Sequence, residues 1–326
     1  MARYYQGLSH SLIGISLSFL LMGLASPHQT GATTTLPALK AERWVNSAPL
    51  TPAALKGKVV LIDVWEYTCV NWIRTSPYVK AWHRDYASLG LVVIGVHAPE
   101  FDVEKQGTNI DRGIRDHGLT YPIAIDNDFT IWRALGNDAW PVKFLFDAQG
   151  KLVNRWVGEG HYNEIEAEIR RQLIAAKPGA TLPPPTPEGT SFGTIGQPSY
   201  AGITGETYID GEHRRPGTVV LEGDWQASRQ YVELRKGKGT ITITFTGGEA
   251  NLVMQPGQKG TAAVTVLLDG KPIDSGRGKD VGADGVARFD RFGMIRLVSG
   301  AARQQHVLML VSSDPGLRAF VFTFGP

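Results

Sequence analysis

A change of hydrophobic period across a proline-rich tract constrains this chain more than any other feature of its sequence. Residues 177–199 hold Pro178, Pro183, Pro184, Pro185 and Pro187 among Gly, Thr and Ser. Such a tract cannot build a core and behaves as a semi-rigid spacer. Before it, short apolar β-branched runs alternate with helical patterns. Val59–Val64 and Leu91–Val96 suit buried strands, and helices are expected over 70–89, 103–117, 129–135 and 164–176. A hairpin is expected from Lys143–Phe146 and Leu152–Val157 around Asp147-Ala148-Gln149-Gly150. Alternating strands and helices imply an α/β sheet covered on both faces. After the tract the period is two, with strands expected at Thr240–Phe245, Ala263–Leu268, Val307–Val311 and Phe320–Phe324. This is the pattern of an all-β, jelly-roll-like sandwich.

The expected organisation is therefore an α/β domain over 40–176, a linker over 177–199 and an all-β sandwich over 200–326. The N-terminus adds a fourth segment. Arg3 precedes an apolar run from Leu12 to about Ala25, too short to favour a bilayer-spanning helix, and Gly23 and Ala25 suit cleavage. Residues 1–25 are read as a signal peptide, with an uncleaved anchor as the alternative. The mature chain is expected in the periplasm or outside the cell. At 326 residues, 42% hydrophobic and 20% charged, the chain is ordinary globular material. Its net charge of +2, without a basic stripe, argues against a nucleic-acid partner.

There is one cysteine, Cys69. An intrachain disulfide is impossible, so in an oxidising compartment this thiol is either buried and inert or reactive. It sits where a strand ends and a helix should begin, a place whose free N–H groups favour a thiolate. Pro77 follows inside the helix and should bend it.

The segment Trp65-Glu66-Tyr67-Thr68-Cys69-Val70-Asn71-Trp72-Ile73-Arg74-Thr75 resembles the active-site strand and helix of the thioredoxin superfamily. It is most similar to the exported thioredoxin-like region of the DipZ type. Further resemblance lies in Gly95-Val96-His97-Ala98-Pro99-Glu100-Phe101, in Tyr121–Asp128, in Gly158-Glu159-Gly160, and in the tail segments Leu221–Trp225, Leu267–Pro272 and Phe320–Gly325. The resemblance implies a thioredoxin-like fold followed by a β-sandwich similar to a carbohydrate-binding module. It implies that Cys69 is the attacking thiol and Asp63 the buried acid that moves protons. It also implies that Pro141 is the cis-proline beside which a client peptide lies, with Trp65, Trp72 and Trp140 lining the substrate.

One departure matters. Trp72 stands where the family has its second cysteine, so a mixed disulfide cannot be resolved within the chain. The reading is an exported thiol-disulfide oxidoreductase acting through Cys69 alone. Its partners would be client proteins bearing thiols or disulfides, and an external thiol reductant. The alternatives are a non-catalytic module binding a protein or glycan, and a one-cysteine peroxidase. The peroxidase pattern would want Thr three positions before the cysteine, where Glu66 stands. Glu66 itself is read as a solvated loop carboxylate or as a base acting on Cys69. His97 and Glu100 are candidates for the site edge, and His83, His117 and His161 read as surface residues.

No cofactor or dedicated metal site is expected. Asp269, Asp274, Asp280 and Asp284 read as turn residues, with a calcium loop as the alternative. Trp225 and Tyr231 offer a sugar-stacking platform, with core packing as the competing reading.

Overall fold

The structure is a computed structural model that describes residues 34–187, 200–213 and 217–326. The expected signal peptide and the distal part of the linker lie outside the described residues.

The first half is a six-stranded sheet in the order β1-β4-β3-β2-β5-β6. Its strands are β1 (Arg43–Val45), β2 (Val59–Trp65), β3 (Leu91–His97), β4 (Ile123–Ile125), β5 (Val142–Phe146) and β6 (Leu152–Val157). The helices are α1 (Val70–Tyr86), α2 (Gly107–Asp116), α3 (Thr130–Leu135) and α4 (Tyr162–Ala176). β2, β3 and β4 run parallel, while β1, β5 and β6 pair antiparallel. Every residue of β2 is buried, because helices and loops cover both faces of the sheet. This is the expected α/β arrangement. β1 and β4, three residues each, carry too little pattern to be seen in sequence. The helix expected over 103–117 is broken. A 3₁₀ turn at Asp102–Lys105 precedes α2, and Gln106 between them is extended.

The linker's first part docks back onto α4. Arg170 donates to the Pro183 carbonyl at 2.6 Å, and buried Glu166 accepts the Thr186 amide at 2.8 Å.

The second half is the expected all-β domain, a large antiparallel sheet curled around its own core. It comprises β7 (Thr207–Tyr208), β8 (Val219–Ala227), β9 (Val232–Gly247), β10 (Glu249–Gln255), β11 (Ala262–Leu268), β12 (Lys271–Pro272), β13 (Val286–Phe289), β14 (Gly293–Val298), β15 (Gln304–Ser312) and β16 (Arg318–Gly325). The path runs β12-β11-β15-β9-β16-β10-β14, with β8 on β9, β13 on β11 and β7 on β16. β9 holds the curl together: its start pairs with β16, and residues Gly239–Gly247 pair with β15. Alternate residues along Thr240–Phe245 are buried, which is the period-two signal in three dimensions.

The two halves share apolar packing. Phe101 of the first half meets Phe320 of β16 at 4.9 Å between ring centres, and Phe320 meets Phe292 at 5.2 Å. Tyr67 packs edge-on against Phe292 at 6.1 Å. Around this aromatic cluster, the Asp102 amide donates to Gln230 at 3.0 Å. The all-β half thus covers the loop that leads from β2 to Cys69.

Candidate active site

Cys69 is the residue before α1. Its carbonyl accepts the first helical bond, from the Ile73 amide at 2.9 Å, while its side chain makes no capping hydrogen bond. The thiol is partly buried and packs against the larger core cluster. Burial, followed by the Glu66 carboxyl, pushes it well above its ordinary pKa, and the Trp72 amide opposes that rise. Position alone favours a thiolate here; its surroundings favour the thiol.

Trp72 is completely buried and lies stacked on Trp65, with ring centres 4.4 Å apart. Its indole N–H donates to Asp63 Oδ2 at 2.8 Å. Lys143 Nζ lies 3.8 Å from Asp63 Oδ1, both side chains being fully buried. Register explains the pair, since Asp63 in β2 stands opposite Lys143 in β5. Burial raises Asp63, while the Lys143 charge and the Trp72 bond oppose that rise. Burial likewise lowers Lys143. Lys143 has no motif around it and was not legible as a site residue; only the strand register singles it out.

The Trp140–Pro141 peptide is cis. Val64 pairs with Val142, so Pro141 lies at the same end of the sheet as Trp65 and the loop to Cys69. The Trp140 indole donates to the Ala98 carbonyl at 2.9 Å and its ring packs on Trp132 at 4.4 Å. Trp65 and Trp72, expected beside substrate, present no face to solvent in this arrangement.

The reading of Glu66 as a solvated carboxylate is overturned, because it is fully buried. Its Oε2 accepts the Thr68 amide at 2.5 Å and sits 2.9 Å from Thr68 Oγ1. The same hydroxyl lies 2.9 Å from Glu104 Oε1. Glu104 Oε2 accepts the Glu100 and Phe101 amides at 2.7 and 3.1 Å. Glu100 in turn receives the Tyr208 hydroxyl, from the all-β half. Burial raises Glu66 and Glu104, and burial together with the Glu206 charge carries Glu100 up to about 8. Glu104 was missed in the sequence, since nothing in its local pattern predicts that the 3₁₀ turn will aim it at Thr68. The position of this loop against α2 depends on Gly113, where a Cβ would lie 2.8 Å from Tyr67 Cβ.

His97 is buried between Trp65 and Tyr67, and burial lowers its pKa to about 3, so it is a neutral ring in the core. The surface reading of His83 and His117 is corrected, because both are half-buried. His117 contacts the Tyr67 carbonyl at 3.1 Å and meets Trp72 edge-on at 5.0 Å. His161 is exposed.

Arg74, on α1, binds across the two halves. Its guanidinium reaches Glu159 at 3.5 Å, the Tyr200 hydroxyl at 2.8 Å, and Glu249 of β10. Glu159 belongs to the Gly158-Glu159-Gly160 turn, whose Gly158 amide donates to the Pro141 carbonyl at 2.8 Å.

In the all-β half, the four aspartates are engaged within the chain: Asp269 with His306 and the Val307 amide, Asp274 with Arg277, Asp280 with Arg296, and Asp284 with Arg288. Trp225 and Tyr231 belong to different packing clusters, Tyr231 lying against Phe320 and Arg318.

A six-stranded α/β sheet with Cys69 ahead of its first long helix, a cis-proline at the same sheet end and a buried Asp–Lys pair beneath it defines a thioredoxin-like protein. Residues 33–155 match the AhpC/TSA family, and residues 191–325 match the family described as thioredoxin like C-terminal domain. The chain is thioredoxin-like and DipZ-like. It is 34% identical to protein DipZ of Mycobacterium bovis over 73% of this chain and 37% of that protein, so it spans little more than a third of its relative. It is also 28% identical to the thiol-disulfide oxidoreductase ResA of Bacillus thuringiensis, over 36% of this chain and 65% of that one. A solved thiol-disulfide isomerase from Corynebacterium glutamicum aligns with 22% identity and a TM-score of 0.39, covering 43% of this chain and 97% of the other. Among the described residues, no helix is long and apolar enough to cross a membrane.

Proposed function

We propose that this protein is an exported thiol-disulfide oxidoreductase that works through Cys69 alone. The observation that carries this reading is Cys69 ahead of α1 at the sheet end that also bears Pro141, in a sequence with one cysteine. Cys69 would attack a client disulfide and hold the client as a mixed disulfide. Because Trp72 occupies the place of a resolving thiol, an external thiol must release the client. A sulfur with a raised pKa is a poor leaving group, so the mixed disulfide should be long-lived. Export is supported by the apolar N-terminal run and by the kinship with DipZ.

The test is capture. The purified chain is incubated with glutathione disulfide and with an unfolded disulfide-containing protein, then resolved without reductant. Adducts that vanish in Cys69→Ser are expected; their absence in the native chain overturns the reading.

A second reading, a non-catalytic binding module, is favoured by the partial burial of the thiol against the larger core cluster. It predicts that client or glycan binding persists unchanged in Cys69→Ser.

A further inference from the structure

A cleft of about 640 Å³ lies between the two halves, beside the loop that leads to Cys69. Tyr67 and Thr68 of that loop line it. From α1 come Ile73, Ser76, Pro77 and Lys80, whose helical spacing places them on one face. α2 contributes Arg112 and Asp116. The all-β half supplies the rest through Arg288–Arg296 of the β13–β14 hairpin, with Lys279 and Asp280 from the loop before it.

Six cationic side chains and three aspartates line this cleft. The aspartates are all taken by arginines. Asp280 lies 3.7 Å from Arg296, and Arg291 has Asp290 at 2.8 Å and Asp116 at 3.9 Å. Arg288 is held by Asp284 at 2.6 Å. Among the described residues, Lys80, Arg112 and Lys279 are left without a carboxylate partner. Lys80 Nζ donates to the His117 carbonyl at 2.9 Å and Arg112 to the Asn109 side chain at 2.8 Å, both neutral acceptors. Lys279 is exposed and makes no hydrogen bond or ion pair among the described residues. The His117 ring stays neutral, because burial lowers its pKa. The uncompensated charge is therefore positive, and it converges from three separate elements.

The rest of the lining is largely apolar. Ile73, Pro77 and Met294 share it with Phe292, against which Tyr67 packs edge-on. Along α1 the lining from Ile73 to Lys80 runs about 10 Å, the length of about three residues of extended chain. An acidic segment that carries an apolar side chain matches both features. Its carboxylates meet the unpaired cations, and its apolar side chain covers the surface between them. A lone inorganic anion would leave that apolar surface uncovered.

We propose that this cleft binds an acidic segment of the client protein, with an apolar side chain set between its carboxylates, and so selects which clients come to the Cys69 loop. That the partner is a client rests on the oxidoreductase reading above; the cleft and its charge do not. Complementary charge of this kind steers encounter and fixes orientation, and the apolar surface holds the segment once it is seated.

The test uses the full chain and a fluorescein-labelled, cysteine-free peptide of glutamates and aspartates around one phenylalanine. Anisotropy should report saturable binding that weakens about tenfold between about 50 and 500 mM sodium chloride. A lysine peptide of the same length should not bind. Arg112→Glu and Lys279→Glu should each weaken binding by about tenfold. Lys259→Glu, the same charge change at an exposed residue outside the cleft, should leave it unaltered. Lys279 is exposed, so its variant decides the matter should Arg112→Glu fail to fold. Cys69→Ser should bind as the native chain does. Equal affinity in the native chain and Lys279→Glu overturns the proposal. Displacement by inorganic phosphate at concentrations no higher than the peptide's own marks a site for small anions and overturns it too. Binding of the acidic peptide without any Cys69 adduct in the capture experiment upholds the cleft and overturns the oxidoreductase reading. Adducts without binding of the acidic peptide do the reverse.

Discussion

The indole N–H of Trp72 donates to Asp63 Oδ2 at 2.8 Å, so the side chain standing in the place of a second thiol is bonded to the acid that would serve that thiol. The two residues belong together. A buried carboxyl without the cysteine would lose a partner, and the tryptophan supplies one while filling the space against Trp65.

That relationship predicts that restoring the cysteine alone is costly. Trp72→Cys should destabilise by about 3–5 kcal/mol through the cavity it opens. Trp72→Phe keeps most of the volume, removes one hydrogen bond to a buried carboxyl, and should cost about 1–3 kcal/mol. Denaturant unfolding of the two variants checks the order.

Cys69 should alkylate slowly at neutral pH, with its midpoint above the roughly 8.5 of a free thiol. Glu66→Gln removes the carboxyl whose ionisation would most oppose the thiolate and should move that midpoint down. A pH series of iodoacetamide labelling measures both. A native midpoint below 8 would contradict the arrangement described here.

Glu100 and His97 should shape stability in opposite directions. Glu100 rises from 4.5 to about 8, so the folded chain holds that proton more tightly. Its contribution is fully present below pH 4.5 and is lost as pH climbs through about 8. His97 falls from 6.5 to about 3, so its contribution is present above pH 6.5 and is lost on descending toward pH 3. Thermal unfolding should show Glu100→Gln gaining on the native chain as pH rises from 5 to 8. His97→Phe should gain on it as pH falls from 6.5 to 4.

Arg74 should hold the two halves together. Removing it leaves half-buried Glu159 and part-exposed Glu249 without their cation, so Arg74→Ala should cost about 1–3 kcal/mol. Arg74→Lys should recover only part, because an ammonium cannot reach both carboxylates and Tyr200 with a planar fork. The same variants should label faster at Cys69, since the cover over the thiol loosens.

Gly113→Ala should be destabilising by about 1–3 kcal/mol and should also disturb the Cys69 loop, because its Cβ would press on Tyr67. A raised labelling rate at Cys69 with α2 still folded is the expected signature.

Much of the protein was determined by its local sequence. The strand runs Val59–Val64 and Leu91–Val96, the period-two alternation at Thr240–Phe245 and the proline tract between the halves are patterns of near neighbours. Elements of that length follow from such patterns. Cys69 before a helix and Pro141 after Trp140 are legible for the same reason, being single positions in a contiguous phrase. What tertiary structure alone decided is the chemistry around the thiol. Lys143 meets Asp63 through strand register, Glu104 reaches Thr68 from 36 residues away, and Tyr208 and Arg74 join the two halves across more than a hundred. A thiol at a helix start reads as activated in isolation. Burial and like charge, which depend on everything that packs around it, turn it into a protonated one.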